Sequence, residues 1–146
     1  MSETREGEIK LTEDPAGMAA DAHVVFIGRI RSAWKTREEC PKNMAAARAS
    51  GQAATIEIHP PYRPGLAGLA RTSHVVILTW LNFAPRNLIV QKPRHASEPK
   101  GVFALRSPAR PNPVGLHVAE LIDLKPYFAS IDAFPNAVPP RGKDAP

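Results

Sequence analysis

Proline limits the fold of this chain more than any other residue. It occurs 16 times among the 146 residues, which is about twice its usual frequency. Each proline fixes φ and removes one backbone N–H donor, so it interrupts helices and the interiors of sheets. The sequence therefore predicts short elements separated by turns within one domain at most, and it argues against long helices.

Six runs rich in β-branched or aromatic residues predict β-strands. They cover residues 23–30, 54–59, 73–81, 88–90, 102–106 and 114–122. The longest apolar run lies within 73–81 and is typical of a strand buried on both faces, although the pattern leaves a buried helix open. Residues 36–50 combine Pro41 with an alanine-rich run, which predicts a loop and then a short helix. The fold class expected is all-β or β-dominated, a small barrel with short helices in its loops.

Charge divides the chain unevenly. Lys and Arg counted against Asp and Glu give −4 for residues 1–21 and +9 for residues 22–146. We predict an acidic N-terminal arm over 1–21, either flexible or packed at an edge, one domain over 22–133, and a proline-rich tail over 134–146. The basic body favours an anionic partner such as a phosphate backbone, and a basic surface without a specific partner is the alternative.

Several classes of site are absent from the sequence. Cys40 is the single cysteine, which argues against a disulfide framework and fits a reducing cytoplasm. The five histidines are not spaced as zinc ligands, so no metal is expected. No apolar run is long enough to span a membrane, and the first residues do not resemble a signal peptide. Neither a P-loop nor a Gly-x-Gly-x-x-Gly after a strand occurs, so a Rossmann site is not supported.

Residues 101–116 carry the most specific pattern. Three prolines and three polar side chains occur there: Pro108, Pro111, Pro113, Arg106, Arg110 and Asn112. The prolines hold the polar residues on a stiff loop, which lowers the entropic cost of binding a ligand. Arginine offers a planar fork for a carboxylate or phosphate, and asparagine offers both a donor and an acceptor. A proline-rich ligand for another protein, or merely a rigid loop, is the alternative.

Residues 102–116, V-F-A-L-R-S-P-A-R-P-N-P-V-G-L, strongly resemble the signature of the TrmO/YaeB family, also called TsaA-like. The usual form of that signature is G-V/I-F-A-T-R-S-P-x-R-P-N-P-I-G-L. Further matches follow in the expected order at residues 27–32, 40–43, 56–58, 61–62, 68–69, 73–74 and 123–127. The resemblance covers about residues 24–132.

The resemblance implies a non-Rossmann β-barrel methyltransferase that uses S-adenosylmethionine. The implied acceptor is N6 of threonylcarbamoyladenosine at position 37 of tRNA. Carried over residue by residue, the cofactor contacts fall on Pro41, Lys42, Asn43, Asn82, Phe83, Arg106 and Leu116. Asn82-Phe83 departs from the His-Gln of the long bacterial members. Arg110 and Asn112 are the candidates for contact with RNA.

For the proton released on methyl transfer, the candidates are Asp123 and Tyr127, assisted by Lys125, which could instead contact an RNA phosphate. The alternative is that residues 123–127 form only a barrel strand that ends at a proline. Two other functions stay open: methylation of a different acceptor on the same fold, and a non-catalytic module that binds S-adenosylmethionine or RNA.

The resemblance also implies a homodimer with the cofactor pocket close to the subunit interface. A small barrel with proline-interrupted strands leaves edges that a second copy could cover, although the arm or the tail could cover them instead. Family members usually carry a further segment, ending in a D-G-T-P turn, between the positions of Ile122 and Asp123. Either the protein has a true deletion there or the sequence lacks part of the natural chain. We favour the second explanation, because a deletion inside a barrel would expose strand edges.

Overall fold

The computed structural model describes residues 4–36, 38–125 and 128–131, and β-strands dominate it. The strands are β1 (Ile9–Lys10), β2 (Gly28–Arg31), β3 (Ala54–Ile58), β4 (His74–Trp80), β5 (Leu88–Gln91), β6 (Lys100–Gly101), β7 (Val114–Lys125) and β8 (Phe128–Ile131). The helices are α1 (Met44–Ala49) and short 3₁₀ turns at Pro15–Gly17, Pro60–Leu66, Leu69–Arg71 and Val102–Ala104. The β-dominated class predicted from the sequence is confirmed.

The strands form two sheets. Five strands lie in the order β2-β3-β8-β7-β4, and three lie in the order β1-β5-β6. Most of these strands are short, although β7 runs over twelve residues. Neighbouring strands then pair through a few residues, as in the four-residue register of β2 with β3. Closure of these strands into a barrel stays a prediction.

The chain divides into two compact units. The first unit consists of Met1–His23 and Leu78–Leu116, and the second unit consists of Val24–Ile77 and His117–Pro146. In the first unit, β1 pairs with β5 at the edge of the three-stranded sheet. Residues 9–10 of the N-terminal arm thus form an edge strand, while the flexibility of the arm and the domain bounds stay predictions. The tail over 134–146 lies outside the described residues.

Two alanines form the centre of the second unit. Ala54 on β3 and Ala119 on β7 are 1% and 0% exposed. Ile30, Ile56, Val75 and Ile77 pack against them. These four side chains are partly buried, so each contributes less than the about 1.5–3 kcal/mol of a fully buried one.

The first predicted strand is shorter than expected. Residues 23–27 precede β2, which begins at Gly28 opposite Ile58, the last residue of β3. One further bond joins the His59 amide to the Ile27 carbonyl at 2.8 Å. Pro60 and Pro61 follow and have no N–H to donate, so the ladder ends there and the side chains of residues 24–27 are exposed.

Two other predictions about strands are wrong. Residues 102–104 form a 3₁₀ turn instead of a strand, because the Leu105 amide bonds the Val102 carbonyl at 3.2 Å. Residues 73–81 do contain β4, but β4 is buried on one face alone. Val76 and Leu78 are exposed on one face of β4, while Val75 and Ile77 on the other face pack against the core.

The remaining predicted elements are confirmed. The strands at 54–59, 88–90 and 114–122 correspond to β3, β5 and β7, and the short helix corresponds to α1. β7 is longer than predicted and continues to Lys125. Its pairing with β8 shifts register between Leu121 and Asp123.

Candidate functional site

The signature segment, residues 102–116, lies in the first unit and joins a 3₁₀ turn to β7. Its prolines at 108, 111 and 113 supply no N–H donors. Backbone carbonyls in such a segment need side-chain donors in place of the missing amides, because an unpaired buried carbonyl costs free energy. Two arginine side chains supply them.

Arg110 is the first of these two arginines. Its Nε donates to the carbonyl of Ser107 at 2.9 Å, and its Nη2 donates to the carbonyls of Val102 and Leu105. The side chain is half-buried. The bonds of Arg110 within the described residues therefore shape the signature segment itself, and its predicted contact with RNA stays a prediction.

Arg86 is the second arginine, and sequence reasoning missed it. Its Nε donates to the carbonyl of Pro111 at 2.6 Å, and its Nη2 donates to Oδ1 of Asn112 at 3.2 Å. Its guanidinium also lies 5.4 Å from the centre of the Trp80 ring, within the range of a cation–π contact. Arg86 is 25 residues before Pro111 along the chain, so no local pattern could have revealed it.

Arg106 and Leu116, both predicted to contact the cofactor, are brought together. Nη2 of Arg106 donates to the carbonyl of Leu116 at 3.2 Å. Arg106 is exposed, and this is its one hydrogen bond within the part of the chain that the structure describes. Its Nε and Nη1 groups are therefore available to hold an anionic group.

Asn82 and Phe83 lie in the turn after β4, in the same unit as Arg106. Both are exposed. The Leu81 amide at the start of this turn donates to the carbonyl of Pro113 at 2.9 Å, which attaches the turn to the signature segment. Two buried side-chain oxygens of this unit, Oγ1 of Thr79 and Oε1 of Gln91, have no partner among the described residues. The free donors of Arg106 fit a ligand that carries a carboxylate.

Pro41, Lys42 and Asn43 lie in the second unit, in the loop before α1. Oδ1 of Asn43 accepts a hydrogen bond from the Ala46 amide at 2.8 Å, so this side chain is the N-cap of α1. Lys42 is exposed. The observed role of Asn43 is to begin the helix, and cofactor contact by these three residues stays a prediction.

Asp123 and Lys125, predicted to handle a proton, lie on β7. The Lys125 ammonium is 3.1 Å from Oδ2 of Asp123, and Oδ1 accepts from the Leu124 amide at 2.9 Å. The side chains are about half exposed. Tyr127 lies outside the described residues. A strand is thus the observed structure of residues 123–125, and their catalytic role stays a prediction.

Two further features concern the residues that the structure describes. No group of three or more His, Cys, Asp and Glu side chains there could hold a metal ion. None of the described helices has the length and apolar character needed to cross a membrane.

This chain is similar to proteins that are named as methyltransferases or as S-adenosyl-L-methionine-binding proteins. The family of tRNA-methyltransferase O N-terminal domains matches residues 29–125. A probable S-adenosyl-L-methionine-binding protein of Methanothermobacter thermautotrophicus is 38% identical, over 73% of this chain and 90% of that protein. The probable S-adenosyl-L-methionine-binding protein VirR of Rhizobium radiobacter is 34% identical, over 81% of this chain and 63% of that protein.

A crystal structure of TrmO from Pseudomonas aeruginosa superposes with a TM-score of 0.59 and 28% sequence identity. The match covers 78% of this chain and 49% of the TrmO chain. The present chain therefore spans about half the length of that solved structure.

Proposed function

This chain belongs to the family of tRNA-methyltransferase O N-terminal domains, and we propose that it is an S-adenosylmethionine-dependent tRNA methyltransferase. The proposed acceptor is N6 of threonylcarbamoyladenosine at position 37 of tRNA. The observation that carries the proposal is the contact of Arg106 with Leu116, because it leaves a guanidinium with free donors inside the signature segment.

S-adenosylmethionine supplies an already activated methyl group when it is bound. The task of the protein is then to hold donor and acceptor in line and to accept one proton. Nε and Nη1 of Arg106 suit the methionine carboxylate, since arginine forms strong charge-assisted bonds with carboxylates. Asn82, Phe83 and Leu116 are proposed to contact the rest of the cofactor, together with Pro41, Lys42 and Asn43.

Arg86 and Arg110 support this role indirectly. They hold the carbonyls of Val102, Leu105 and Pro111, so the segment that carries Arg106 keeps one shape without a ligand. A site arranged before binding loses less conformational entropy when the ligand arrives. We propose that these arginines position the segment, and that Asn112, held by Arg86, faces the RNA.

A second candidate function is a module that binds S-adenosylmethionine without turnover. The ion pair of Asp123 with Lys125 favours it, because both carboxylate oxygens of Asp123 are engaged. A general base needs a free acceptor within reach of the proton that it removes. Under this alternative the protein binds the cofactor, yet tRNA from cells without the gene keeps its full content of methylated nucleoside.

We propose that the working unit is a homodimer in the cytoplasm, joined through the exposed face of β4 and β7. Hydrogen bonds of Leu121 to Ser73 and of Leu81 to Pro113 set the register of the two strands. That register places Val76 opposite Val118 and Leu78 opposite Leu116. These four apolar side chains are between 51% and 66% exposed. A second copy covering them would also lie beside Leu116, which agrees with a pocket close to the interface.

Two measurements test the proposed function. Calorimetry with S-adenosylmethionine should show binding to the purified protein, and absence of binding would reject the cofactor. Nucleoside mass spectrometry should show that tRNA from a deletion strain lacks N6-methylated threonylcarbamoyladenosine. If the content is unchanged and no second enzyme compensates, the acceptor is wrong, although the cofactor assignment could still hold.

A further inference from the structure

The first unit contains a cavity beside the N-terminal arm. It has a volume of about 280 Å³ and is lined by Arg5, Lys92, Pro93, Arg94 and Ala96. We name it the arm cavity. None of these residues belongs to the signature segment or to the predicted cofactor contacts. Three of the five carry a positive charge, and no acidic residue is among them.

Two of these charges have no partner among the described residues. Neither the Lys92 ammonium nor the Arg94 guanidinium forms a hydrogen bond or an ion pair across residues 4–36, 38–125 and 128–131. Arg5 uses only its Nη1, which donates to the Lys92 carbonyl at 2.9 Å. Like charges that share one cavity repel each other, and an anion bound between them would remove that repulsion.

Glu8 attaches the arm that completes the cavity. Its carboxylate accepts from the Arg5 amide at 3.0 Å and from the Lys92 amide at 3.1 Å. The pKa of Glu8 is lowered, first by the bond from the Arg5 amide and then by that from Lys92 and by the nearby charges of Arg5 and Lys10. Both oxygens of this acid are thus engaged by backbone donors, and the arm brings Arg5 to the other two cations.

We propose that the arm cavity binds a phosphodiester group of the RNA backbone. The step from an anion to RNA rests on the proposed function, which requires a tRNA acceptor. Arg5 and Arg94 are exposed, so one side of a bound phosphate would face solvent. A phosphodiester needs this open side, because the RNA chain continues from it in both directions. No aromatic side chain lines the cavity among the described residues, so it offers no surface on which a base could stack. Contact with the backbone alone would position the RNA without reading its sequence.

The test compares tRNA affinity of the full chain and of variants that leave the arm attached. Lys92 and Arg94 suit this purpose, because Glu8 and Arg5 contact only the backbone of Lys92. The variants are Arg94→Gln and the double variant Lys92→Gln with Arg94→Gln. The matched control is Arg71→Gln, which removes one exposed charge that does not line the cavity. Each protein is titrated with tRNA at several salt concentrations, and with S-adenosylmethionine by calorimetry.

We expect the double variant to bind tRNA about tenfold more weakly at 0.1 M salt, because a tenfold change in affinity corresponds to the loss of about one charge-assisted hydrogen bond. The negative slope of log affinity against log salt should become less steep by about 1–2, since each phosphate contact contributes roughly −0.9 to it. The Arg71→Gln control should stay within about twofold of the wild type, and S-adenosylmethionine affinity should be unchanged in all variants. In NMR spectra of the wild type, added inorganic phosphate should shift the Arg94 Nε–H resonance and leave the Arg71 Nε–H resonance unchanged.

Equal tRNA affinity of the double variant and the wild type would overturn the proposal. A loss as large in Arg71→Gln would also overturn it, because general charge would then explain the effect. If phosphate moves the Arg94 resonance while tRNA affinity is unchanged, the cavity binds small anions and the RNA assignment is wrong. If tRNA binding depends on the cavity but S-adenosylmethionine does not bind, the proposal stands and the proposed methyltransferase function fails.

Discussion

Nη2 of Arg106 donates a hydrogen bond to the carbonyl oxygen of Leu116 at 3.2 Å, and this bond joins two positions ten residues apart in the signature segment. The bond holds the arginine beside the start of β7 while its other donors stay open. It explains how a residue on an irregular segment can have a defined place. Because the carbonyl of Leu116 is neutral, the positive charge of Arg106 is not cancelled.

Substitution of Arg106 should separate ligand binding from stability. Arg106→Ala is expected to weaken S-adenosylmethionine binding by about 1.5–3 kcal/mol, the usual contribution of a hydrogen bond to a charged group. The unfolding free energy should change by less than about 0.5 kcal/mol, because the side chain is exposed. Calorimetry and urea unfolding measure the two effects. Unchanged affinity would remove Arg106 from the cofactor site.

Arg110 should show the opposite pattern. Arg110→Ala removes the side-chain donor to the carbonyls of Ser107 and Leu105 and leaves the Val102 carbonyl with the Leu105 amide alone, so we expect a loss of about 1–3 kcal/mol in unfolding free energy. Arg110→Lys should restore little, since one ammonium cannot reproduce the planar fork. Full stability of Arg110→Lys in urea unfolding would contradict the role assigned to the guanidinium.

Asn43 offers a way to distinguish a helix cap from a cofactor contact. Asn43→Ala should destabilise the protein by about 1 kcal/mol, because the Ala46 amide loses its acceptor. Asn43→Asp keeps a capping oxygen and should retain stability. If S-adenosylmethionine affinity falls in Asn43→Asp as much as in Asn43→Ala, the side chain contacts the cofactor. If affinity is normal in Asn43→Asp, capping accounts for its role.

Glu57 should titrate at unusually low pH. Hydrogen bonds from Arg29 at 2.9 Å and from Arg31 at 2.8 Å lower the pKa of Glu57 from 4.5 to about 2. Its stabilising contribution is therefore present above pH 4.5 and is lost as the pH falls toward 2. The side chain is partly exposed, so salt should weaken the effect. Carboxyl NMR shifts measure the titration, and an ordinary midpoint near 4.5 would contradict the ion-pair geometry.

The proposed dimer is tested on β4. Leu78→Glu places a charge on the exposed apolar face and should give a monomer in light scattering, because burying an unpaired charge at an interface is costly. Leu78→Met keeps an apolar side chain of similar size and should remain dimeric. A wild-type monomer at micromolar concentration that binds cofactor at full stoichiometry would refute the shared pocket.

Local chemistry was sufficient to predict several elements. The alternation of residues 54–59 ends at Pro60, and the structure has β3 in the same place. The signature segment could also be recognised from the sequence, because its prolines and polar residues stand at short spacing. The strand expected at 102–106 was wrong, since capture of the Val102 and Leu105 carbonyls by Arg110 favours a turn over strand pairing.

Sequence alone was enough for the β-dominated class, the family and the candidate residues of the signature segment, because strand propensity and proline geometry act over a few neighbouring residues. Burial of one face of β4 depends on the side of the sheet on which Ala54 and Ala119 form the core, which only tertiary structure sets. Tertiary structure also sets two contacts between an arginine side chain and a distant backbone carbonyl. Arg86 bonds the carbonyl of Pro111, 25 residues away, and Arg5 bonds that of Lys92, 87 residues away. Such contacts leave no local pattern, since they arise from chain packing that brings distant residues together.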